Sequence, residues 1–321
     1  YTVRNTLSLH DALPISTPLL MFIDEDVANT SRYLNALNDD GMRFEATNMA
    51  NISMSVFDTD FDSSDGDHIQ AAIGDSAGMV LNFSNNTMIA TNATVLGSGI
   101  TLNSGGNFSG SMTFDVTGNT INGANAKAIN VNQGTTTLDG GTGTISGNII
   151  NNLIGQTGQA ESGGFGIDVV GNGAGTTTVR LQGNVVRQFM GDHGIRILHR
   201  DGTGRINATL NNNTVTQPEP LGFNGVLVQA GASSTLPDSG TICVDLDNNV
   251  FVGSGANGSA NETDFRIRQR FSTTIEVPGY ISGPVLPFIT PTNPMLGTAS
   301  ETTQAPGAFA DSANGISCPT P

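Results

Sequence analysis

An aspartate-rich stretch, DTDFDSSDGDH at 58–68, is the densest group of charge in the chain. Its five acidic residues are Asp58, Asp60, Asp62, Asp65 and Asp67. Close carboxylates repel one another, and Ca²⁺ relieves this because it takes several oxygen ligands, often in Asp-x-Asp spacing before a glycine turn. The first three would face one side of a strand. We predict a calcium site formed by these five aspartates. Because the Glu that ends a calcium loop is absent, a solvated acidic face is the alternative.

A second stretch, GDHGIRILHRDG at 191–202, combines acids, imidazoles and guanidinium groups. The members are Asp192, His193, Arg196, His199, Arg200 and Asp201. Such groups perform general acid–base catalysis when they converge on a substrate. The two histidines are six positions apart, so on a strand we expect them not to converge. We therefore weigh a catalytic site at Asp192, His193 and Arg196 against solvated turn charges.

Composition limits the partners that the chain can have. The net charge is −16 with only 12 Lys and Arg, so phosphate backbones and anionic lipid surfaces are repelled. No run of 18 apolar residues is present, which predicts no membrane insertion. The chain has 15 Phe, 3 Tyr and no Trp, whereas sugar clefts commonly offer Trp or Tyr faces. This weighs against a processive polysaccharide enzyme and leaves a cell-surface or carbohydrate ligand open.

A four-residue repeat, small–apolar–any–apolar, organises the chain. It occurs as GMRF at 41–44, HIQA at 68–71, GITL at 99–102, AINV at 128–131, GIDV at 166–169, GIRI at 194–197, GVLV at 225–228 and DFRI at 264–267. A second motif, centred on asparagine, occurs at Asn86, Asn119, Asn148, Asn184, Asn213 and Asn249. Both motifs alternate with the strand period of two, and Gly and Asn separate the strands.

These repeats predict an all-β fold, a right-handed parallel β-helix solenoid of about eight coils. One internal column would contain Ile100, Ile129, Ile167, Ile195, Val226 and Phe265. Its partner column would contain Leu102, Val131, Val169, Ile197, Val228 and Ile267. The repeated asparagines would stack as a ladder at a turn.

The coil pattern resembles the repeat of the pectate-lyase-like superfamily over about 20–280, and DFRIRQRFSTTIEVPGY at 264–280 resembles the closing segment of large bacterial surface proteins. The first resemblance implies two enzyme recipes, an Arg base with Ca²⁺ or paired aspartates near Gly-His-Gly. Here only DHG and RIL partly match, and no NTD or DD partner follows. Arg196 instead holds the same outward-facing position of the repeat as Asp168 does one coil earlier. This predicts an ordinary exposed ion pair between them.

Three segments are predicted. Residues 1–16 are interpreted as a disordered artefact, because reverse translation of Thr6–Ser16 matches a common sequencing adapter; a natural disordered leader is the alternative. The solenoid spans 17–280, and 281–321 form an irregular cap and a Pro/Gly/Thr-rich linker tail. Cys243 and Cys318 are expected to form a disulfide, with two free thiols as the alternative. We expect that the natural N-terminus is missing, so the lack of a signal peptide carries no weight.

The leading functional hypothesis is a non-enzymatic, secreted or surface-displayed scaffold, an adhesin-like fragment of a larger bacterial protein. It would act as a monomeric solenoid outside the cell and bind neither nucleic acid nor membrane. The alternative is a polysaccharide lyase or glycoside hydrolase acting near Asp192, His193 and Arg196. The two hypotheses differ in whether outward carboxylates and an Arg or Lys converge on one face over adjacent coils.

Overall fold

Successive turns of the chain lay their strands side by side in three parallel sheets, A, B and C. The computed structural model describes residues 40–90, 97–134, 141–156, 164–232, 238–255 and 262–321, together with the backbone of strands at 6–8, 19–24 and 32–34. Strands are numbered along the chain. The seven strands of sheet C mark seven coils with three strands each, and three further coils contribute only to the ten-stranded sheets A and B.

The bounds of the strands are given sheet by sheet. Sheet A contains β1 (Thr6–Ser8), β4 (Met42–Ala46), β7 (Ile69–Ile73), β10 (Ile100–Ser104), β13 (Lys127–Gln133), β16 (Phe165–Gly173), β19 (Ile195–Gly202), β22 (Val226–Ala230), β24 (Phe265–Gln269) and β26 (Ala299–Thr302). Sheet B contains β2 (Leu19–Asp24), β5 (Asn51–Phe57), β8 (Gly78–Ser84), β11 (Ser111–Thr117), β14 (Thr144–Ile150), β17 (Thr176–Gln182), β20 (Arg205–Asn211), β23 (Thr241–Asp247), β25 (Thr274–Glu276) and β27 (Ala308–Ala310).

Sheet C is built from much shorter strands. It contains β3 (Arg32–Leu34), β6 (Asp60–Asp62), β9 (Thr87–Ile89), β12 (Thr120–Ile121), β15 (Leu153–Ile154), β18 (Val185–Val186) and β21 (Thr214–Val215). One helical turn, α1 (Leu286–Ile289), and the 3₁₀ turn Thr290–Thr292 lie in the C-terminal segment. Within the described residues, neither helical turn has the length and apolar character that a membrane-crossing helix needs.

The internal columns of sheet A follow the predicted register. Each residue of the predicted column that begins at Ile100 pairs with the next, through Ile129, Ile167 and Ile195 to Val226 and Phe265. The partner column that begins at Leu102 is likewise in register. All of these side chains are fully buried. The all-β parallel β-helix prediction is therefore confirmed.

The asparagine ladder runs along the turn between sheets B and C. Its rungs are Asn86, Asn119, Asn152, Asn184, Asn213, Asn249 and Asn293, and all are buried. Each Nδ2 donates to the Oδ1 of the next rung at 2.9–3.0 Å. Each backbone N–H donates to the same Oδ1, so no rung leaves its amide unsatisfied.

Two rungs differ from the sequence prediction. The prediction that Asn148 is a rung was wrong, because this residue lies on the outer face of β14 and donates to Asp115 Oδ1 at 2.7 Å. The actual rung is Asn152, which follows the left-handed residue Asn151 (φ 54°) just as Asn119 follows Gly118 (φ 68°). Asn293 was missed because it lies in the C-terminal segment, outside the repeat.

The small residue that opens each sheet A strand is required by the neighbouring coil. A Cβ on Gly99 would lie 2.4 Å from the carbonyl oxygen of Ala128, and one on Gly166 would lie 2.3 Å from Val186. His68 occupies this position in its coil, fully buried against Phe61. Burial lowers the pKa of His68 to about 4 against the raising effect of Asp62 and Asp67, so its ring is neutral near pH 7.

The two ends of the chain add strands where the sequence predicted irregular structure. Strand β1, which lies within residues 1–16, pairs with β4. An open sheet edge pairs through backbone groups with any extended chain, which explains how a sequence without strand patterning is accepted. At the other end β26 and β27 continue sheets A and B. Residues 281–321 thus form a further coil as well as a cap.

The disulfide between Cys243 and Cys318 fastens this last segment to the outer face of sheet B. The bond joins residues 75 apart in sequence with a Cα–Cα distance of 5.7 Å. Cys243 alternates with the inward Ile242 and Val244, so its side chain points outward, and it is buried all the same. The C-terminal residues therefore lie over β23.

Candidate functional site

A buried carboxylate, Asp168 on β16, is the centre of a charged cluster on the outer side of sheet A. Arg196, in register on β19, donates from Nε to Oδ1 at 2.8 Å and from Nη2 to Oδ2 at 2.9 Å. Lys127 Nζ, from β13, lies 2.7 Å from Oδ2. The pairing of Asp168 with Arg196 was predicted, but its exposure was wrong: Asp168 is fully buried. Lys127 and the aromatic rings around the cluster shield it from solvent.

Aromatic rings surround these cations. Phe165 lies 4.1 Å from the Arg196 guanidinium carbon and 5.6 Å from Lys127 Nζ, so it makes cation–π contacts with both. The ring of His193 lies 6.0 Å from Phe165 and 6.0 Å from Phe223. Phe223 remains 43% exposed. The cluster therefore offers solvent an aromatic edge beside two partly exposed cations.

His193 is held in one tautomer by its neighbours. Its Nδ1 accepts the backbone N–H of Asn224 at 3.2 Å, which leaves the proton of the neutral ring on Nε2. Nε2 lies 3.4 Å from Asp192 Oδ1. Burial, and secondly the charge of Arg196, lowers the pKa of His193 to about 4. His193 is therefore neutral near pH 7, with both ring nitrogens engaged.

Asp192 is the accessible carboxylate of the cluster. Burial raises its pKa to about 6, and the negative charge of Asp168 adds to this, while Arg196 and Lys127 oppose it. A carboxyl that titrates near neutral pH is a fitting general acid or base. Its side chain is 32% exposed, so a ligand can reach it.

The remainder of 191–202 belongs to a different environment. His199 is buried on the inner side of β19, with Nδ1 3.6 Å from Asp238 Oδ1. Arg200 donates to Asn172 Oδ1 at 3.0 Å. Asp201, predicted to be solvated in a turn, is buried instead, and burial raises its pKa. The two histidines do not converge, as the sequence indicated.

Protein-family models, curated proteins and solved structures contain no match to this chain. The resemblances to pectate-lyase-like enzymes and to surface proteins therefore remain hypotheses, and the parallel β-helix is what the structure supports.

The aspartates at 58–67 mostly serve the turns between strands. Asp58 is the left-handed residue (φ 50°) that ends β5, so it does not share one strand with Asp60 and Asp62, contrary to the sequence expectation. Asp67 Oδ1 accepts the backbone N–H of Ser98 at 2.6 Å. Among the residues the structure describes, no three acidic, His or Cys side chains form a metal-binding group. A calcium site with Asp65 and the other four stays a prediction.

Sequence reasoning missed three members of the cluster, Lys127, Phe165 and Phe223. Lys127 and Phe165 pair with each other, two residues before the internal-column residues Ile129 and Ile167. His193 takes the equivalent position in the next coil, two residues before Ile195. That repeat position was a usable signal. Phe223 lies in a loop of non-repeating length, and no signal in the sequence indicated its position.

Proposed function

We propose that the protein is a non-enzymatic, secreted or surface-displayed scaffold that binds a cell-surface or carbohydrate ligand on the outer face of sheet A. The observation that carries this proposal is that the Asp168 carboxylate is already paired with two cations. Both of its oxygens are occupied by Arg196 and Lys127, and the carboxylate is buried. The carboxylate and the two cations are thus fixed before any ligand arrives, which suits binding.

The extracellular part of the proposal has its own support. Cys243 and Cys318 are bonded, and disulfides persist mainly in oxidising compartments. A solenoid fastened to its own last coil resists local opening at that end. We propose that it acts as a monomer, with neighbouring coils as the main contacts of each coil.

A polysaccharide hydrolase or lyase acting near Asp192, His193 and Arg196 is the second candidate, favoured by the raised pKa of Asp192. Outward carboxylates, Arg196 and Lys127 also converge on one face over three adjacent coils, which is the arrangement expected of an enzyme. Glycoside hydrolysis, however, uses two carboxylates that both reach the substrate. Of the two in this cluster, Asp168 is enclosed. A lyase base is equally disfavoured, since Arg196 is held by Asp168 and both nitrogens of His193 are engaged.

The test is incubation of the purified chain with polygalacturonate, alginate and neutral glucans, with and without Ca²⁺. We expect neither ultraviolet-absorbing unsaturated sugars nor new reducing ends, together with measurable retention on at least one immobilised polysaccharide. Products that form with the wild type and disappear in Asp192→Asn would overturn the scaffold proposal in favour of the enzyme.

A further inference from the structure

The loop that leads into β22 leaves two apolar side chains exposed, Leu221 and Phe223. Leu221 is 65% exposed and Phe223 is 43% exposed, and only the buried Gly222 separates them in sequence. Single exposed apolar side chains are ordinary, whereas neighbouring ones form a patch that is typical of interaction sites. We call these two side chains the apolar pair.

The loop that carries the apolar pair is fixed to the coil before it. Leu221 accepts the backbone N–H of Gly191 at 3.0 Å, and Phe223 donates its own N–H to the carbonyl of Asp192 at 2.8 Å. The exposure of the pair is therefore a property of an ordered backbone. A ligand that binds the pair does not have to order the loop first, which removes one cost of binding.

A row of aromatic rings supports Phe223 from the two coils before it. The ring of His193 lies 6.0 Å from Phe223 and 6.0 Å from Phe165, which is itself buried. Phe223 is the end of this row that faces solvent. An exposed aromatic ring on a rigid support is the kind of side chain that carries much of the binding energy in protein interfaces.

A carboxylate without a cationic partner lies beside the apolar pair. Asp192 Oδ1 is 3.4 Å from Nε2 of His193, and the ring of His193 in turn contacts the pair. Within the part of the chain that the structure describes, no Lys or Arg forms an ion pair with Asp192, because Lys127 and Arg196 both pair with Asp168. A ligand group that meets Asp192 favourably must therefore bring positive charge.

We propose that the apolar pair and Asp192 bind a protein partner through a segment that places an apolar side chain beside a Lys or Arg. This rests on the proposed binding function and names a protein as a cell-surface ligand. The pair offers no hydrogen-bonding group to the hydroxyls of a sugar, whereas an apolar side chain packed on it removes both surfaces from water. The net charge of −16 attracts a basic segment and speeds its association. The small contact area suits a transient complex.

The experiment measures binding of three short synthetic helical peptides to the whole chain by calorimetry in EDTA. The first peptide combines Leu and Lys on one face, the second has Glu in place of Lys, and the third has Ser in place of Leu. The pH is set well above the value of about 6 to which burial raises the pKa of Asp192, so that its carboxylate is charged. We expect the Leu/Lys peptide to bind about tenfold or more tighter than either of the others.

Two results with these peptides would overturn the proposal. Equal affinity for the Leu/Lys and Ser/Lys peptides would mean that net charge alone attracts them. Absence of binding to the Leu/Lys peptide would mean that the apolar pair has no such partner. Vesicles of neutral phosphatidylcholine serve as a fourth probe. Tighter binding to them than to the peptide would overturn the proposal in favour of a membrane surface.

The variant Leu221→Ser/Phe223→Ser keeps the net charge and should weaken binding of the Leu/Lys peptide about tenfold or more. Its matched control is Met49→Ser, which removes a side chain that is 61% exposed at another turn and should bind as the wild type does. Asp192→Asn should cause a smaller loss, and Asp115→Asn, which removes one charge from the outer face of sheet B, should cause none. Equal affinity within either pair of variants would contradict the proposed contacts.

Two further measurements keep the result readable. Should the double variant fail to fold, Leu221→Ser alone changes the more exposed side chain and should fold and bind the peptide more weakly. Retention on immobilised polysaccharide is measured on the same preparation. Retention without peptide binding would refute this inference and leave the proposed function standing, whereas loss of both would refute the binding function as well.

Discussion

Arg196 donates two parallel hydrogen bonds to Asp168 one coil away, and the carboxylate that receives them is inaccessible to solvent. An exposed pair of this kind contributes at most about 1 kcal/mol, whereas removing one partner of a buried pair costs roughly 3–5 kcal/mol because a buried charge is left behind. The position of Asp168, rather than the geometry of the pair, decides which value applies.

Arg196→Ala should therefore lower the free energy of unfolding by about 3 kcal/mol, with Lys127 compensating only in part. Denaturant unfolding measures this. The matched control is Arg43→Ala, which removes a 3.7 Å pair to Glu45 from a side chain that is 41% exposed, and it should cost less than about 1 kcal/mol. Equal losses in the two variants would contradict the buried pair.

Asn152→Ala should destabilise the protein by about 2 kcal/mol or more, because it leaves buried partners on both sides unsatisfied. Asn152 donates to Asn184 and to the carbonyl of Val116, and it accepts from Asn119. Asn148→Ala is the control, since it removes one exposed bond to Asp115. Thermal unfolding of the two variants compares them, and a larger effect of Asn148→Ala would reverse the assignment of the rung.

Removing the disulfide with Cys318→Ala should lower the melting temperature, since the chain-entropy model gives about 4 kcal/mol for a closed loop of this length. The 75-residue loop includes β24, β25, β26 and β27. Adding a thiol reductant should lower the melting temperature of the wild type and leave that of the variant unchanged. A reductant effect of equal size on both would mean that the bond contributes nothing.

Acid should destabilise the fold through His68. Its folded pKa of about 4 lies below the ordinary value of 6.5, so the neutral ring stabilises the fold above pH 6.5, and that contribution is lost as pH falls toward 4. His68→Asn should reduce the dependence of the free energy of unfolding on pH over this window.

Asp192 acts in the opposite sense, because its pKa is raised, and it contributes stability below about pH 4 that is lost as pH rises through 6. Asp192→Asn should therefore make the free energy of unfolding fall more steeply as the pH drops from about 6 to about 4. If either variant only shifted the whole curve of unfolding free energy against pH without changing its slope, these assignments would be contradicted.

The repeat predicted the interior of the fold far better than its surface. Ile195 and its column follow from alternation alone, since parallel coils place equivalent residues over one another. Asn148 was mistaken for a rung because Gly-Asn occurs there inside a strand, and sequence gives no dihedral angle to separate it from Asn152. The burial of Asp168 could not be foreseen, because alternation gives only the outward direction of its side chain and not the packing of Lys127 and Arg196 over it.

The asparagine ladder has a consequence for how such a chain changes length over time. Within the ladder, each rung bonds to the rungs directly before and after it. Duplicating one coil therefore inserts one rung, one residue in each apolar column and about 4.7–4.9 Å of solenoid while the same contacts repeat. Deleting a coil is equally neutral to its neighbours. Recombination between coding repeats can therefore lengthen or shorten the molecule in whole coils without inventing a new core, and the distance over which it presents its outer face becomes a heritable quantity that varies in steps.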